Sequence, residues 1–204
     1  MIRYQILIEY VGTDFRGWQI QKKGSTIQGL IQENLSKLLK EKIILNGSGR
    51  TDTGVHAIEQ SGHFDSKKEI LDLTKFLKSI NHFINDQGVA IKKIRKRSSK
   101  FHSRFSAKQR IYKYIIFNQL SAPVIEKKRG WHVRKPLDLD LIKKGAKKLI
   151  GTHDFSTFRS SSCHAKSPIR TIKSVKVKSS KNKIEIQFRS QSFLQQQVRS
   201  MVGC

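Results

Sequence analysis

Acidic residues are scarce in this chain: 15 Asp and Glu stand against 41 Lys and Arg, a formal charge of +26 at pH 7. The shortage is uneven. Gln87 to Ile125 contains no acid at all, and Leu141 to Cys204 contains only Asp154 and Glu185. A compositional bias toward Lys and Ile would thin the acids evenly, so the pattern points instead to a polyanionic partner, nucleic acid first. Cysteine is nearly absent. Cys163 and Cys204 form no CxxC pair, which excludes a disulfide framework and suits a reducing compartment. The spacing of Cys163, His164 and His153 matches no standard metal site, so no metal is expected. No apolar run approaches the roughly 18 to 20 residues that span a bilayer, and the start lacks a signal-like apolar core. The expectation is a cytoplasmic protein with no membrane partner. There is no sequence-level repeat.

With 204 residues, 37% of them hydrophobic, the chain can build one large domain or two small halves. Arg3 to Tyr10 alternates as a half-buried strand, with Tyr4, Ile6, Ile8 and Tyr10 on one face. Ser25 and Gln28 form a capping-box pattern before Ile27, Leu30, Ile31, Leu35, Leu38 and Leu39, an amphipathic helix ending near Lys40. Ile43 to Leu45 and Glu59 to Phe64 read as strands, Ile70 to Phe83 as a helix, and Val89 to Ile94 as a strand. Strand, helix, strand, strand, helix, strand is the order of a split βαβ, ferredoxin-like unit. The charge run Lys92 to Lys100 closes it, giving an N-terminal half over 1–98 and a basic C-terminal α/β half over 99–204. In the second half, Gln109 to Asn118 reads as a strand and Asp138 as the cap of a helix through Ile150. Arg170 to Lys178 and Lys183 to Arg189 form a hairpin across Ser179 to Asn182, and a last helix begins at Ser192. The fold class is α+β, and the second half partly repeats the first in element order.

The stretch Gly47-Ser48-Gly49-Arg50-Thr51-Asp52-Thr53-Gly54-Val55-His56-Ala57 lies between two predicted strands. Its three glycines let the backbone turn sharply and come close to a ligand. Arg50 and Asp52 can pair directly or through neighbours, and a carboxylate beside a guanidinium stays ionised. That suits an anionic nucleophile or an electrostatic anchor. Upstream, Arg16 and Trp18 stand beside two glycines in Gly12 to Gln19, a pattern fit for phosphate contact and stacking if Trp18 is exposed, or for core packing if it folds back. Arg104 lies between Phe101 and Phe105, and Tyr112 or Tyr114 can stack on a base or fill the core.

The eleven-residue stretch closely resembles the active-site motif of the tRNA pseudouridine synthase A family. So do Tyr10 to Gln19, Phe101 to Ala107, Arg110 to Tyr114 and Gly151 to Arg159, in the same order along the chain. The resemblance implies a central antiparallel sheet flanked by helices, two ferredoxin-like halves and a basic cleft. It implies a cofactor-free homodimer that isomerises uridine to pseudouridine at positions 38, 39 and 40 of the tRNA anticodon stem-loop. Asp52 matches the family's catalytic aspartate, Arg50 a residue that orients it and holds the nucleotide out of the helix. Tyr112 matches the active-site tyrosine and Arg199 an arginine that pairs with the carboxylate. Arg16, Trp18, Gln19, His56, Arg104, Arg110 and Arg159, all within these motifs, are the expected RNA contacts. In two places the chain departs from the family. Gln195, Gln196 and Gln197 replace an aromatic or His and a Met, and the sequence stops at Cys204 where relatives continue, so the second half is expected to be incomplete at its end. The competing reading is a catalytically weak tRNA-binding remnant; a basic ribosome-associated protein explains the charge but not the loop.

Overall fold

The computed structural model describes Met1 to Cys204 and divides into two compact units, Met1–Ala107 and Lys108–Cys204. The first unit runs β1 (Ile2–Tyr10), α1 (Ile27–Leu39), β2 (Asn46–Gly47), β3 (Ala57–Ser66), α2 (Leu73–Ile84) and β4 (Val89–Arg97). Its sheet has the order β2-β3-β1-β4, with every pairing antiparallel, as a split βαβ unit requires. The alternation in β1 has the anticipated result: Tyr4, Ile6, Ile8 and Tyr10 are buried, and Ile27, Ile31 and Leu35 of α1 join them with Ile80 and Ile84 of α2 in one core. Tyr4 stacks on Phe64 of β3 with ring centroids 5.5 Å apart.

Strand β4 breaks strict alternation, because both Ile91 and Ile94 are buried although three positions apart. The register explains it. Ile94 pairs with Ile6 and Ile91 with Ile8, so the shift between Leu7 and Ile8 absorbs one extra residue of β4 as a bulge. Two sequence expectations are corrected in this unit. The helix cap is Thr26, whose hydroxyl accepts from Gly29 N at 3.2 Å, rather than Ser25. Gln28 instead accepts from Ile20 N and donates to Leu45 O. Ile43 to Leu45 does alternate, with Ile43 and Leu45 buried, yet it is not a strand. Its amides bond to α1 side chains, Ile43 N to Ser36 Oγ (3.0 Å) and Leu45 N to Gln32 Oε1 (3.1 Å), in place of a ladder.

The second unit runs β5 (Arg110–Asn118), β6 (Trp131–Val133), α3 (Leu139–Lys148), β7 (Gly151–Asp154), β8 (Ile169–Ser180), β9 (Lys183–Ser190) and α4 (Gln197–Gly203). The sheet order is β6-β5-β9-β8-β7. Within it β5, α3, β8, β9 and α4 follow the βαββα order of the first unit, and β8-β9-β5 are neighbours as β2-β3-β1 are. The position beside β5 that corresponds to β4 is taken by β6, which runs parallel and pairs only with Ile116 to Asn118. Asp138 caps α3 as predicted, accepting from the amides of Asp140 and Leu141. The hairpin turns at Lys181, which has φ of 50°. The last helix starts later than Ser192 suggests. Gln196 has φ of 61° and breaks the run, so α4 begins at Gln197. Gln197 is fully buried, and its Oε1 accepts from Leu194 N at 2.8 Å, which satisfies an amide at a position where the family pattern carries Met. No helix is long and apolar enough to cross a membrane.

Candidate active site

The Gly47 to Ala57 stretch joins the end of β2 to the start of β3, and the segment after β1 holds it at both ends. On the entry side, Ser48 N donates to Ser61 O (2.8 Å) and Gln60 Nε2 to Gly49 O (3.1 Å). Thr51 is gripped twice. Its carbonyl accepts from Trp18 N at 3.0 Å and its hydroxyl lies 2.8 Å from the Tyr10 hydroxyl. On the exit side, Gly12 N donates to His56 Nδ1 at 3.1 Å, which leaves Nδ1 unprotonated and places the neutral ring's proton on Nε2. Between these anchors Val55 N closes a turn onto Asp52 O (3.2 Å). Asp52 is half-buried on a short span whose two ends are fixed to β1 and its following loop.

Gly12 has no room for a side chain. A Cβ there would lie 2.0 Å from Val55 O and 2.7 Å from Val55 C, both backbone atoms. Gly47 is confined in the same way by the Trp18 indole, 2.6 Å from an added Cβ. Trp18 is thus 2% exposed, with its ring 6.2 Å from that of Tyr10. Of the two readings open for Trp18, the structure shows the core-packed one and not an exposed, base-stacking ring: covering Gly47 and joining the apolar core favours burial of so large a ring. Arg16 and Gln19 on either side of it are exposed. Arg50 is exposed too. The ion pairs of this unit join Arg3 to Asp65, Glu33 to Lys37, Glu9 to Lys92 and Glu69 to Lys96, and Arg50 and Asp52 stand outside them.

A second segment packs against the loop's entry. Ser103 Oγ donates to Asn46 O at 2.8 Å, and Ser103 N donates to Nδ1 of the buried His63 at 3.2 Å. Arg3 Nη1 donates to the carbonyls of Ser99 and Phe101. These ties bind Phe101 to Ala107, and with it exposed Arg104, to the first sheet. Burial, with the His102 ring and the Arg3 guanidinium beside it, lowers the His63 pKa to about 4. Between that value and the ordinary value of about 6.5, the unfolded chain binds a proton that the folded one refuses. Stability therefore rises with pH across this window and is lost as pH falls through it, by at most about 3 kcal/mol. The urea midpoint is expected to drop between pH 6.5 and 4, and His63→Asn, whose Oδ1 can stand in for Nδ1, is expected to flatten that slope.

In the second unit, Tyr112 on β5 meets Phe193 edge-to-face with centroids 5.0 Å apart and lies opposite Phe188 of β9. Arg110 donates to Gln191 O. Arg159 follows a 3-10 turn at Ser156–Phe158 and is exposed, as is Arg199 on α4. The candidate residues therefore fall into two sets. Asp52, Arg50, His56, Arg16, Trp18, Gln19 and Arg104 belong to the first unit, and Arg110, Tyr112, Arg159 and Arg199 to the second. Sequence reasoning missed Tyr10, Thr51, His63 and Ser103 as supports. The Gly12–His56 and Tyr10–Thr51 ties span 44 and 41 residues, and no local pattern marks them.

The tRNA pseudouridine synthase profile matches residues 6–106 and 146–204. The tRNA pseudouridine synthase A of Pelagibacter ubique (strain HTCC1062) is 71% identical over 203 residues, covering 100% of this chain and 82% of the relative. The protein of the same name from Neorickettsia sennetsu is 41% identical (99% of this chain, 83% of the relative), and that from Zymomonas mobilis 39% (100% and 83%). The chain belongs to the tRNA pseudouridine synthase family. Members of this family isomerise uridine to pseudouridine in tRNA. The family profile takes in Asp52 with its whole loop, Trp18, Arg104, Arg159 and Arg199, whereas Arg110 and Tyr112 lie between its two matched stretches. The alignments to the three named synthases run through that gap.

Proposed function

We propose that this chain converts uridine to pseudouridine at positions 38, 39 and 40 of the tRNA anticodon stem-loop, with Asp52 as the reacting carboxylate. The observation that carries the reading is the tethering of Asp52 between Thr51 and His56 in a chain of this family. The reaction breaks the N1–C1′ bond, rotates the uracil, forms a C5–C1′ bond and releases the C5 proton. Asp52 can serve it by attacking uracil C6, by attacking ribose C1′, or by taking a ribose proton to give a glycal, and each route needs an ionised carboxylate held in place. The target base must first leave the stack, at a cost of a few kcal/mol that pocket contacts offset. Arg50 holds the space the nucleotide vacates and orients Asp52, and Arg199 is a further active-site support. Tyr112 stacks on the uracil and takes part in removing the C5 proton. Arg16, Gln19, His56, Arg104, Arg110 and Arg159 contact the RNA, and Trp18 supports the loop from the core. The protein acts in the cytoplasm as a homodimer and without a cofactor.

Incubation with tRNA carrying tritium at uridine C5 is expected to release label, and carbodiimide mapping to place the new pseudouridines at 38 to 40. The rate at limiting tRNA is expected to fall steeply as salt rises, since an excess of 26 positive charges implies many released counterions. Absence of release from tRNA that the chain binds would overturn the reading, and pseudouridine formed elsewhere would overturn its positional part.

A further inference from the structure

Phe105 is the most exposed Phe, Tyr or Trp ring of the chain, at 76%, against 51% for Phe83 and 47% for Trp131. It is also held still. The turn that carries it closes on itself through Ser106 N to His102 O (2.8 Å) and His102 N to Ser106 Oγ (3.0 Å). Its second residue, Ser103, is 2% exposed and fastened to His63 and to Asn46, the residue that opens the catalytic loop's entry strand. His102 packs on Phe105 with centroids 4.4 Å apart, bridging it to buried His63 at 4.6 Å. Arg104 places its guanidinium carbon 5.7 Å from the Phe105 centroid. Most exposed apolar side chains need no explanation. A ring presented on a doubly anchored turn, with a guanidinium beside it and no acid between Gln87 and Ile125, has the composition of a surface that takes unpaired bases and their phosphates.

We infer that the His102-Arg104-Phe105 turn is a stacking platform for an unpaired nucleotide of the RNA substrate, with Phe105 as the stacking ring. It rests on the proposed tRNA-modifying role and adds a contact residue to it. A stacked base makes π contact without edge-specific hydrogen bonds, so the platform tolerates any base and serves a synthase that acts at neighbouring positions of differing sequence. The Arg104 guanidinium beside the ring favours RNA over the same turn of a second copy, which would meet it with like charge.

The test uses three variants of the full chain and a tRNA transcript. Because Phe105 is exposed, Phe105→Ala is expected to fold as the parent does. It is expected to raise Kd for tRNA about tenfold or more, with the slope of log Kd against log salt unchanged, because stacking displaces no counterion. Phe105→Tyr is expected to bind within about twofold of the parent. Phe105→Trp is expected to lose indole fluorescence on adding tRNA or oligouridylate, relative to the parent with only Trp18 and Trp131. Equal affinity of Phe105→Ala and parent, without quenching in Phe105→Trp, overturns the platform. So does unchanged tRNA affinity accompanied by a changed sedimentation coefficient, which would mark the turn as a contact between copies. Tritium release separates the two readings. A parent that releases label while Phe105→Ala binds normally refutes the platform alone, and quenching without release refutes the synthase role alone.

Discussion

Exchanging Asp52 for Asn is expected to slow single-turnover tritium release by on the order of 10³-fold or more while tRNA affinity stays within about twofold. The asymmetry follows from how the loop is held. Its anchors are the Thr51 carbonyl and hydroxyl, the His56 ring and the Asp52 backbone carbonyl, and none of them uses the Asp52 carboxylate. An isosteric amide therefore leaves the loop where it is. It cannot act as a nucleophile or accept a proton, so each of the three routes open to Asp52 is closed. Binding is spared because removing one negative charge from a chain of net +26 does not weaken its hold on a polyanion. Filter binding and tritium release on the same preparation check both halves. A rate reduction below about tenfold would mean that another group reacts.

The second large effect is expected at Gly12. Gly12→Ala forces a methyl to within 2.0 Å of Val55 O, and because the obstacle is backbone it cannot rotate aside. The Val55–His56 segment must move, and the Gly12 N to His56 Nδ1 bond goes with it. A stability loss of about 3 kcal/mol is expected from the overpacking. A displacement near 1 Å beside Asp52, the proposed reacting carboxylate, would lower kcat by about 10²-fold. Gly145→Ala in α3 is the contrasting variant. An added Cβ there meets nothing within 4 Å, so the helix gains about 1 kcal/mol and activity is unchanged. Urea unfolding and steady-state kinetics on the two variants distinguish a lost close approach from a general response to an added methyl.

The parts of the fold that were legible in the sequence are those written in short-range periodicity. The period of two in β1, the apolar spacing of α2 and the Asp138 cap each fix an element from residues that are neighbours in the chain. Element order then gave the split βαβ sheet. What was misread turns on choices between near-equal local options. Ser25 and Thr26 are adjacent hydroxyls, and only the backbone's entry angle selects Thr26 as the cap. Ile43 to Leu45 has a strand's alternation, but its amides found Ser36 and Gln32 on α1, a contact no strand pattern encodes. The place of the Gly47 to Ala57 loop between two strands is readable from the sequence, whereas the burial of Trp18 depends on Gly47 beneath it, a contact no local pattern encodes. The supports of the loop were hidden for the same reason: Tyr10, Gly12 and Gln60 are ordinary residues made specific by partners far along the chain.

The strand order of the first unit sets a schedule for synthesis. β1 lies between β3 and β4, so the first strand made stays open on one side until the last has left the ribosome. At about 5 to 20 residues per second, the gap between Ile2 and Val89 lasts roughly 4 to 17 s. Every tie that fixes the Asp52 loop to Tyr10, Gly12, Trp18 and Gln60 lies within the first 61 residues, and the Asn46 latch waits for Ser103. The nascent chain thus holds the parts of its Asp52 loop before its sheet is closed on the β1 side, and a pause in translation between α2 and β4 would prolong the interval in which β1 can pair with a foreign strand.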